Sequence, residues 1–91
     1  MIVVEKGLNK FYVGDSETNY TAVITYSFKQ DKTIIVDHTF VSDELRGQGI
    51  AKALLNTLVF WARSEDLKII PKCEYARNVM ENDDAYADVL A

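Results

Sequence analysis

Two runs of alternating residues constrain this chain more than anything else in it. Tyr20–Phe28 places Ala22, Ile24, Tyr26 and Phe28 on one side and Thr21, Val23, Thr25 and Ser27 on the other. Thr33–Val41 alternates too, with Ile34, Val36, His38 and Phe40 facing one way and Thr33, Ile35, Asp37, Thr39 and Val41 the other. A period of two belongs to extended chain, because successive side chains leave a strand on opposite faces. Only Lys29-Gln30-Asp31-Lys32 separates the runs, so the second returns beside the first as its antiparallel partner. Both faces of the second run are fairly apolar, which predicts a strand inside the sheet rather than at its edge. Two shorter β-prone pieces precede them. Ile2–Glu5 and Lys10–Val13 are separated by Gly7-Leu8-Asn9 and closed by Gly14-Asp15.

The period then changes. From Gln48 to Ser64 the apolar residues Ile50, Ala51, Leu54, Leu55, Leu58, Val59, Trp61 and Ala62 fill one side of a helix. Lys52, Asn56, Arg63 and Ser64 fall opposite, and Phe60 breaks the pattern by sitting among them. Leu67–Ile70 reads as a short strand stopped by Pro71, the only proline. Cys73–Asn82 carries a stripe of Tyr75, Ala76, Val79 and Met80, with Glu74, Arg77, Asn78 and Glu81 on the other side. Asp84–Leu90 is predicted as a last helical turn over the end of the core. Strands, a helix, a strand and a helix predict an α/β (α+β) layer of sheet and covering helices.

A chain of 91 residues has room for one domain, spanning residues 1–91. Its net charge of −4 argues against nucleic acid, which selects for a clustered basic face. No apolar run approaches the ~18–20 residues that span a bilayer, and Met1-Ile2-Val3-Val4-Glu5 has no export pattern. Cys73, the single cysteine, excludes an internal disulfide and a multi-cysteine zinc site. The expectation is a cytoplasmic domain with no metal.

The chemistry concentrates in His38–Leu55, where a strand feeds a glycine-containing loop that opens directly into the long helix. Free amides and the positive end of the dipole at a helix start suit an anionic phosphate. Gly47 and Gly49 allow unusual dihedrals and leave no Cβ in the way of a ligand, and Arg46 adds a fork-shaped cation. The nucleoside-triphosphate loop is not matched, because Gly49-Ile50-Ala51-Lys52-Ala53 lacks its spacing and its Lys-Ser/Thr ending. The dinucleotide fingerprint needs a glycine where Lys52 stands. An ordinary strand-to-helix turn would also use two glycines, but the whole stretch favours a phosphate site.

Arg46-x-x-Gly49-x-Ala51 resembles the acetyl-coenzyme A motif of the GCN5-related N-acetyltransferases. The likeness is nearer to a branch of very small, single-domain members. It is carried by His38-Thr39-Phe40-Val41, by Glu44-Leu45-Arg46-Gly47-Gln48-Gly49, by Pro71-Lys72-Cys73 and by Tyr86-Ala87-Asp88-Val89-Leu90. The resemblance implies a mostly antiparallel sheet of about five strands with two to three covering helices. It also implies that acetyl-CoA or CoA is bound by Arg46, Gly47, Gln48, Gly49, Ile50, Ala51 and Lys52, whose amides hold the pyrophosphate. Phe40 and Val41 would pair with the pantetheine arm. The chain departs from the branch at Val79, where an aromatic is common, and at Asn82-Asp83, where His-Pro is common. Asp37 is only a positional match for the acidic base of the wider family, whose larger members also carry N-terminal helices that wall the acceptor site.

Cys73 follows a strand, opens a helix and neighbours Lys72, two influences that favour a thiolate. A thiolate beside a thioester can accept an acetyl group or deprotonate an amine. A small buried filler is the plainer reading of a free cysteine. His38, the only histidine, is a candidate general base and equally a core residue on the face of Ile34, Val36 and Phe40. Tyr75 and Tyr86 could protonate a leaving thiolate, but both sit on apolar stripes, and packing is the plainer reading. The leading functional expectation is therefore acetyl transfer from acetyl-CoA to an unidentified amine, small molecule or protein, through Cys73 and His38. The alternative is a CoA-binding or acetyl-CoA-binding module without efficient turnover, and a plain interaction domain using Phe60 comes third.

Overall fold

The computed structural model describes residues 2–91, and Met1 lies outside the described residues. Five strands form one sheet in the order β1-β2-β3-β4-β5: Glu5–Gly7, Lys10–Ser16, Asn19–Gln30, Thr33–Val41 and Lys68–Pro71. The first four are antiparallel neighbours, and β5 runs parallel to β4. A parallel pair needs a crossover, and α1 (Ile50–Ser64) supplies it. A second helix, α2 (Glu74–Glu81), follows β5. This is the α/β fold that the sequence predicts, with β4 inside the sheet between β3 and β5.

The core lies on one face of the sheet. Ile50, Leu54, Leu55, Leu58, Val59 and Ala62 of α1 pack with Phe11, Ala22, Ile24, Tyr26, Ile34, Val36 and Ile69 of the strands. Ala76 and Met80 of α2 join the same cluster, as do Tyr86 and Val89. Phe60 is exposed, as its place among the polar helix positions requires.

Four boundaries differ from the sequence reading, each for a local reason. The first strand is Glu5–Gly7 rather than Ile2–Glu5, because the hairpin pairs outward from a tight turn at Leu8-Asn9, where Asn9 has φ 59°. The second strand continues through a bulge at Gly14, whose added Cβ would lie 2.6 Å from the Tyr20 backbone. Helix α1 starts at Ile50, not Gln48, because Gly47 and Gly49 hold φ of 82° and 75° and cannot be helical. The predicted turn at Asp84–Leu90 is a 3-10 turn only over Asp84–Tyr86. Beyond it Leu90 bridges Ile69 in parallel, because the outer edge of β5 offers unpaired backbone groups. The Ile69 amide donates to Val89 at 2.7 Å, and the Ala91 amide donates to Ile69 at 2.9 Å.

The correction that matters most for function is in β4. Thr25 pairs with His38 but Tyr26 pairs with Val36, so Asp37 is an extra, unpaired residue. Such a bulge shifts the pleat by one. Ile34 and Val36 face the core as predicted. Past Asp37 it is Thr39 and Val41 that share the core side, opposite Ile24 and Ala22. His38 and Phe40 are turned to the opposite face, across from Thr25 and Val23, and both are exposed. His38 is therefore not the core residue that unbroken alternation suggests.

The C-terminal segment is held by charge as well as by the bridge. The Arg63 guanidinium donates to both carboxylate oxygens of Asp88, at 2.8 and 2.9 Å. These bonds hold the Asp88 carboxyl below the usual carboxylate range. A carboxyl whose folded value is depressed adds stability above its unfolded value and loses it as pH falls through the folded one. Asp88→Asn should therefore melt below wild type at neutral pH, with the gap closing as pH is lowered beneath the carboxylate range. Thermal melts across pH 2–7 check this, and an equal gap at every pH would contradict it.

Candidate functional site

The groove begins where two strands part. β4 and β5 pair from Thr33↔Lys68 to Val36↔Pro71 and no further. There the amides of Lys72 and Cys73 both donate to the Val36 carbonyl, at 3.1 and 3.0 Å, and the chain turns away into α2. The last residues of β4 are left without a neighbour on that side. The opening is a groove of about 320 Å³ lined by Thr39, Val41, Leu45, Arg46, Gly47, Gly49, Ile50, Ala51, Lys52 and Tyr75.

One wall is the start of α1. The first intrahelical bond runs from the Ala53 amide to the Gly49 carbonyl, at 3.0 Å. The amides of Ile50, Ala51 and Lys52 thus have no helix partner. Gly49 is the N-cap, offers no side chain, and the first turn contains no acidic residue. Neither a capping side chain nor a first-turn carboxylate neutralises this positive helix end, which is the arrangement that accepts an anion. A Cβ added at Gly47 or Gly49 would meet no protein atom within 4 Å, so the space in front of both glycines is free for a ligand. The residues present therefore fit a phosphate-bearing substrate.

The cations stand at the rim. Arg46 follows the 3-10 turn Asp43–Leu45, and its Nε lies 3.3 Å from Asp43 Oδ1. The two side chains are 70% and 95% exposed, so this pair contributes little and leaves the guanidinium free to turn toward a ligand. Gln48 is exposed and reaches back to the Glu44 carbonyl at 3.5 Å, outside the groove lining.

The opposite wall is the start of α2. Cys73 is its N-cap, and its sulfur accepts a hydrogen bond from the Ala76 amide at 3.3 Å. Thr39 Oγ1 lies 3.3 Å from the same sulfur. Cys73 is half-buried and touches the groove through Thr39, which lines it. Tyr75 forms part of the groove wall, two residues further on. Burial first, and then the neighbouring Tyr86 and Cys73, raise the Tyr75 phenol above its ordinary value, so it keeps its proton at neutral pH.

Of the residues singled out in the sequence, the fold gathers Val41, Arg46, Gly47, Gly49, Ile50, Ala51 and Lys52 around one groove, with Cys73 behind Thr39. It does not gather His38, which the bulge at Asp37 turns to the other face, nor the side chain of Phe40. Tyr86 is a packing residue, bonded through its hydroxyl to Asn56 at 2.7 Å. Tyr75 packs against the core as its stripe predicts and also lines the groove. Its place two residues after the N-cap was the available signal. Thr39 and Leu45 also line the groove; unbroken alternation places Thr39 on the other face, and nothing local marks Leu45. Among the described residues no cluster of three or more His, Cys, Asp or Glu side chains could hold a metal.

The chain is similar to known proteins in sequence and in fold. The family model of the GCN5-related N-acetyltransferases matches residues 10–89. Protein NATD1 of Xenopus tropicalis is 40% identical over 62 residues, which are 67% of this chain and 57% of that protein, so the chain spans little more than half of this relative. A GCN5-like protein of Staphylococcus aureus, solved by NMR, is 48% identical with a TM-score of 0.83 over 99% of this chain and 88% of that one. The fold alone extends to AAC(6')-Iy in complex with a CoA-containing bisubstrate analogue, at 12% identity and a TM-score of 0.54 over 90% of this chain and 60% of that one. With a family model covering residues 10–89 and a relative matched along nearly all its length, the chain belongs to the GCN5-related N-acetyltransferase family.

Proposed function

We propose that this chain binds acetyl-CoA in the groove between β4 and α1 and transfers its acetyl group to an amine. One observation carries the reading: an uncapped helix start, two open glycines and Arg46 line one groove with the unpaired end of β4. The amides of Ile50, Ala51 and Lys52 suit the pyrophosphate. The backbone at Phe40 and Val41, free of β5, suits the amide-bearing pantetheine arm. An arm laid along β4 from the loop runs toward Thr39, Cys73 and Tyr75.

Those three residues supply the chemistry at its end. The Cys73 sulfur can attack the thioester carbonyl, forming a new carbon–sulfur bond as the bond to CoA breaks. The CoA sulfur leaves with the electron pair and takes up a proton, for which the protonated Tyr75 of the groove wall is the candidate donor. An amine then attacks the acetyl carbonyl: its nitrogen–carbon bond forms, the bond to Cys73 breaks with the electron pair staying on the sulfur, and the proton that the nitrogen loses restores Tyr75. If the amine attacks acetyl-CoA directly, Cys73 serves instead as its base. Intact-mass measurement after incubation with acetyl-CoA separates the two: one added acetyl on Cys73 marks the covalent route.

Three variants test the assignment by calorimetry and acetyl-transfer assay. Gly49→Ala places a Cβ in the groove at a φ that costs roughly 1–2 kcal/mol of stability. Each amide–phosphate hydrogen bond it displaces is worth about 1.5–3 kcal/mol, so CoA affinity should fall roughly tenfold or more. Unchanged affinity in a folded Gly49→Ala protein would contradict the phosphate loop. Arg46→Ala should weaken CoA by roughly two- to fivefold, and wild-type affinity should fall with added salt, because the guanidinium is exposed. Salt-independent binding with a neutral Arg46→Ala would remove the arginine from the site. Cys73→Ser keeps an N-cap oxygen but removes the thiol, and should hold CoA affinity while losing most acetyl transfer. Full transfer by Cys73→Ser, with CoA still bound, would leave the thiol a capping group only.

A further inference from the structure

The bulge at Asp37 has a cost, since it breaks the β3–β4 ladder beside the groove. Its effect on side chains is specific. It turns His38 out to solvent and brings Thr39 to the core side, where Oγ1 meets Cys73 Sγ at 3.3 Å. Without the extra residue, the His38 side chain would take that side. The sulfur has a second partner, the Ala76 amide, which can only donate. Thr39 is different, because a hydroxyl both accepts and donates.

We propose that Thr39 is a positioning residue for Cys73, aimed by the Asp37 bulge, that holds the sulfur at the groove and stabilises it when it loses its proton. This rests on the reading of Cys73 given above. In the thiol, the sulfur accepts from Ala76 and donates its own hydrogen to Thr39 Oγ1. When the thiol gives that proton to water, the Thr39 hydroxyl rotates about its C–O bond and donates to the sulfur. The thiolate then holds two hydrogen-bond donors in fixed directions, leaving its remaining lone pairs for the groove that Thr39 itself lines. Hydrogen bonds to a charged partner are the stronger kind, so removing this one disfavours the reactive form.

The test compares Thr39→Val, which keeps the shape but loses the hydroxyl, with Thr39→Ser, which keeps the hydroxyl but loses the methyl. The first readout is the rate at which iodoacetamide alkylates Cys73 in the free protein at neutral pH, which needs no acetyl-CoA. Thr39→Val should react about threefold slower or more, since the lost hydrogen bond is partly offset by the higher intrinsic nucleophilicity of a more basic thiol. Thr39→Ser should stay within about twofold of wild type, because its hydroxyl donates in the same way. The second readout is single-turnover acetyl transfer, in which the same ranking should appear in the rate at saturating acetyl-CoA. Alkylation of Thr39→Val at or above the wild-type rate overturns the proposal. So does an equal slowing in Thr39→Ser, because that assigns the effect to packing of the methyl group. If Thr39→Val does not fold, Thr39→Ala against Thr39→Ser reads the same hydroxyl. Should the alkylation ranking hold while acetyl-CoA neither binds nor reacts, Thr39 retains its role and the acetyl-CoA reading fails alone.

Discussion

A parallel strand pair that stops halfway is the constraint on which the rest of this structure depends. β5 follows β4 only to Val36, whose carbonyl then takes two amides at once, from Lys72 and Cys73. That shared acceptor ends the ladder and sends the chain into α2. It exposes the last turn of β4 backbone to the groove in place of a neighbouring strand. Backbone groups need partners, and a strand edge facing a cleft is suited to receive an extended ligand that carries amides of its own. The other wall follows from the same strand. β4 leads through Asp43–Leu45 into two glycines at positive φ, and the helix beyond them begins without a cap. A neutral arm along β4 and an anion at α1 are therefore two demands of one surface, and the proposed acetyl-CoA would meet both.

The core serves this arrangement by holding α1 at a fixed place over the sheet. Six of its residues are buried against strands β2 to β5, so the free amides at its start cannot drift from β4. The far end is pinned as well, by the Arg63–Asp88 pair and the pairing of Leu90 beside Ile69. The opposite face of the sheet carries no helix among the described residues. His38 and Phe40 stand exposed there, on the side of β4 away from Cys73 and the core.

The architecture was legible because it rests on periodicity. The alternation in Tyr20–Phe28, the helical stripe from Ile50 to Ala62 and the polar turn at Lys29–Lys32 each depend on local patterning, which burial on one face enforces. The loop was legible for a different reason: glycine is needed where φ is positive, and Gly47 and Gly49 mark the place. What stayed hidden depends on contacts between distant segments. One extra residue at Asp37 reverses the faces of everything after it, and no pattern within Thr33–Val41 announces it. The pairing of Cys73 with Thr39 spans 34 positions and depends on that reversal. The C-terminal segment keeps a helical turn only over Asp84–Tyr86 and then bridges β5 at Leu90, because an unpaired edge is available, which only the assembled sheet reveals.

In the function proposed above, one continuous surface from the glycine loop to the end of β4 receives acetyl-CoA. The most direct measurement is a titration of the isotopically labelled protein with CoA and then with acetyl-CoA, followed amide by amide by NMR. The largest shifts should fall on Arg46–Lys52 and on Phe40 and Val41. Thr39, Cys73 and Tyr75 should respond differently to the two ligands, because only acetyl-CoA carries the acetyl group to them. Shifts confined to surfaces away from the groove, such as the exposed side of α1 around Phe60, or no shift at millimolar CoA, would contradict the proposed function.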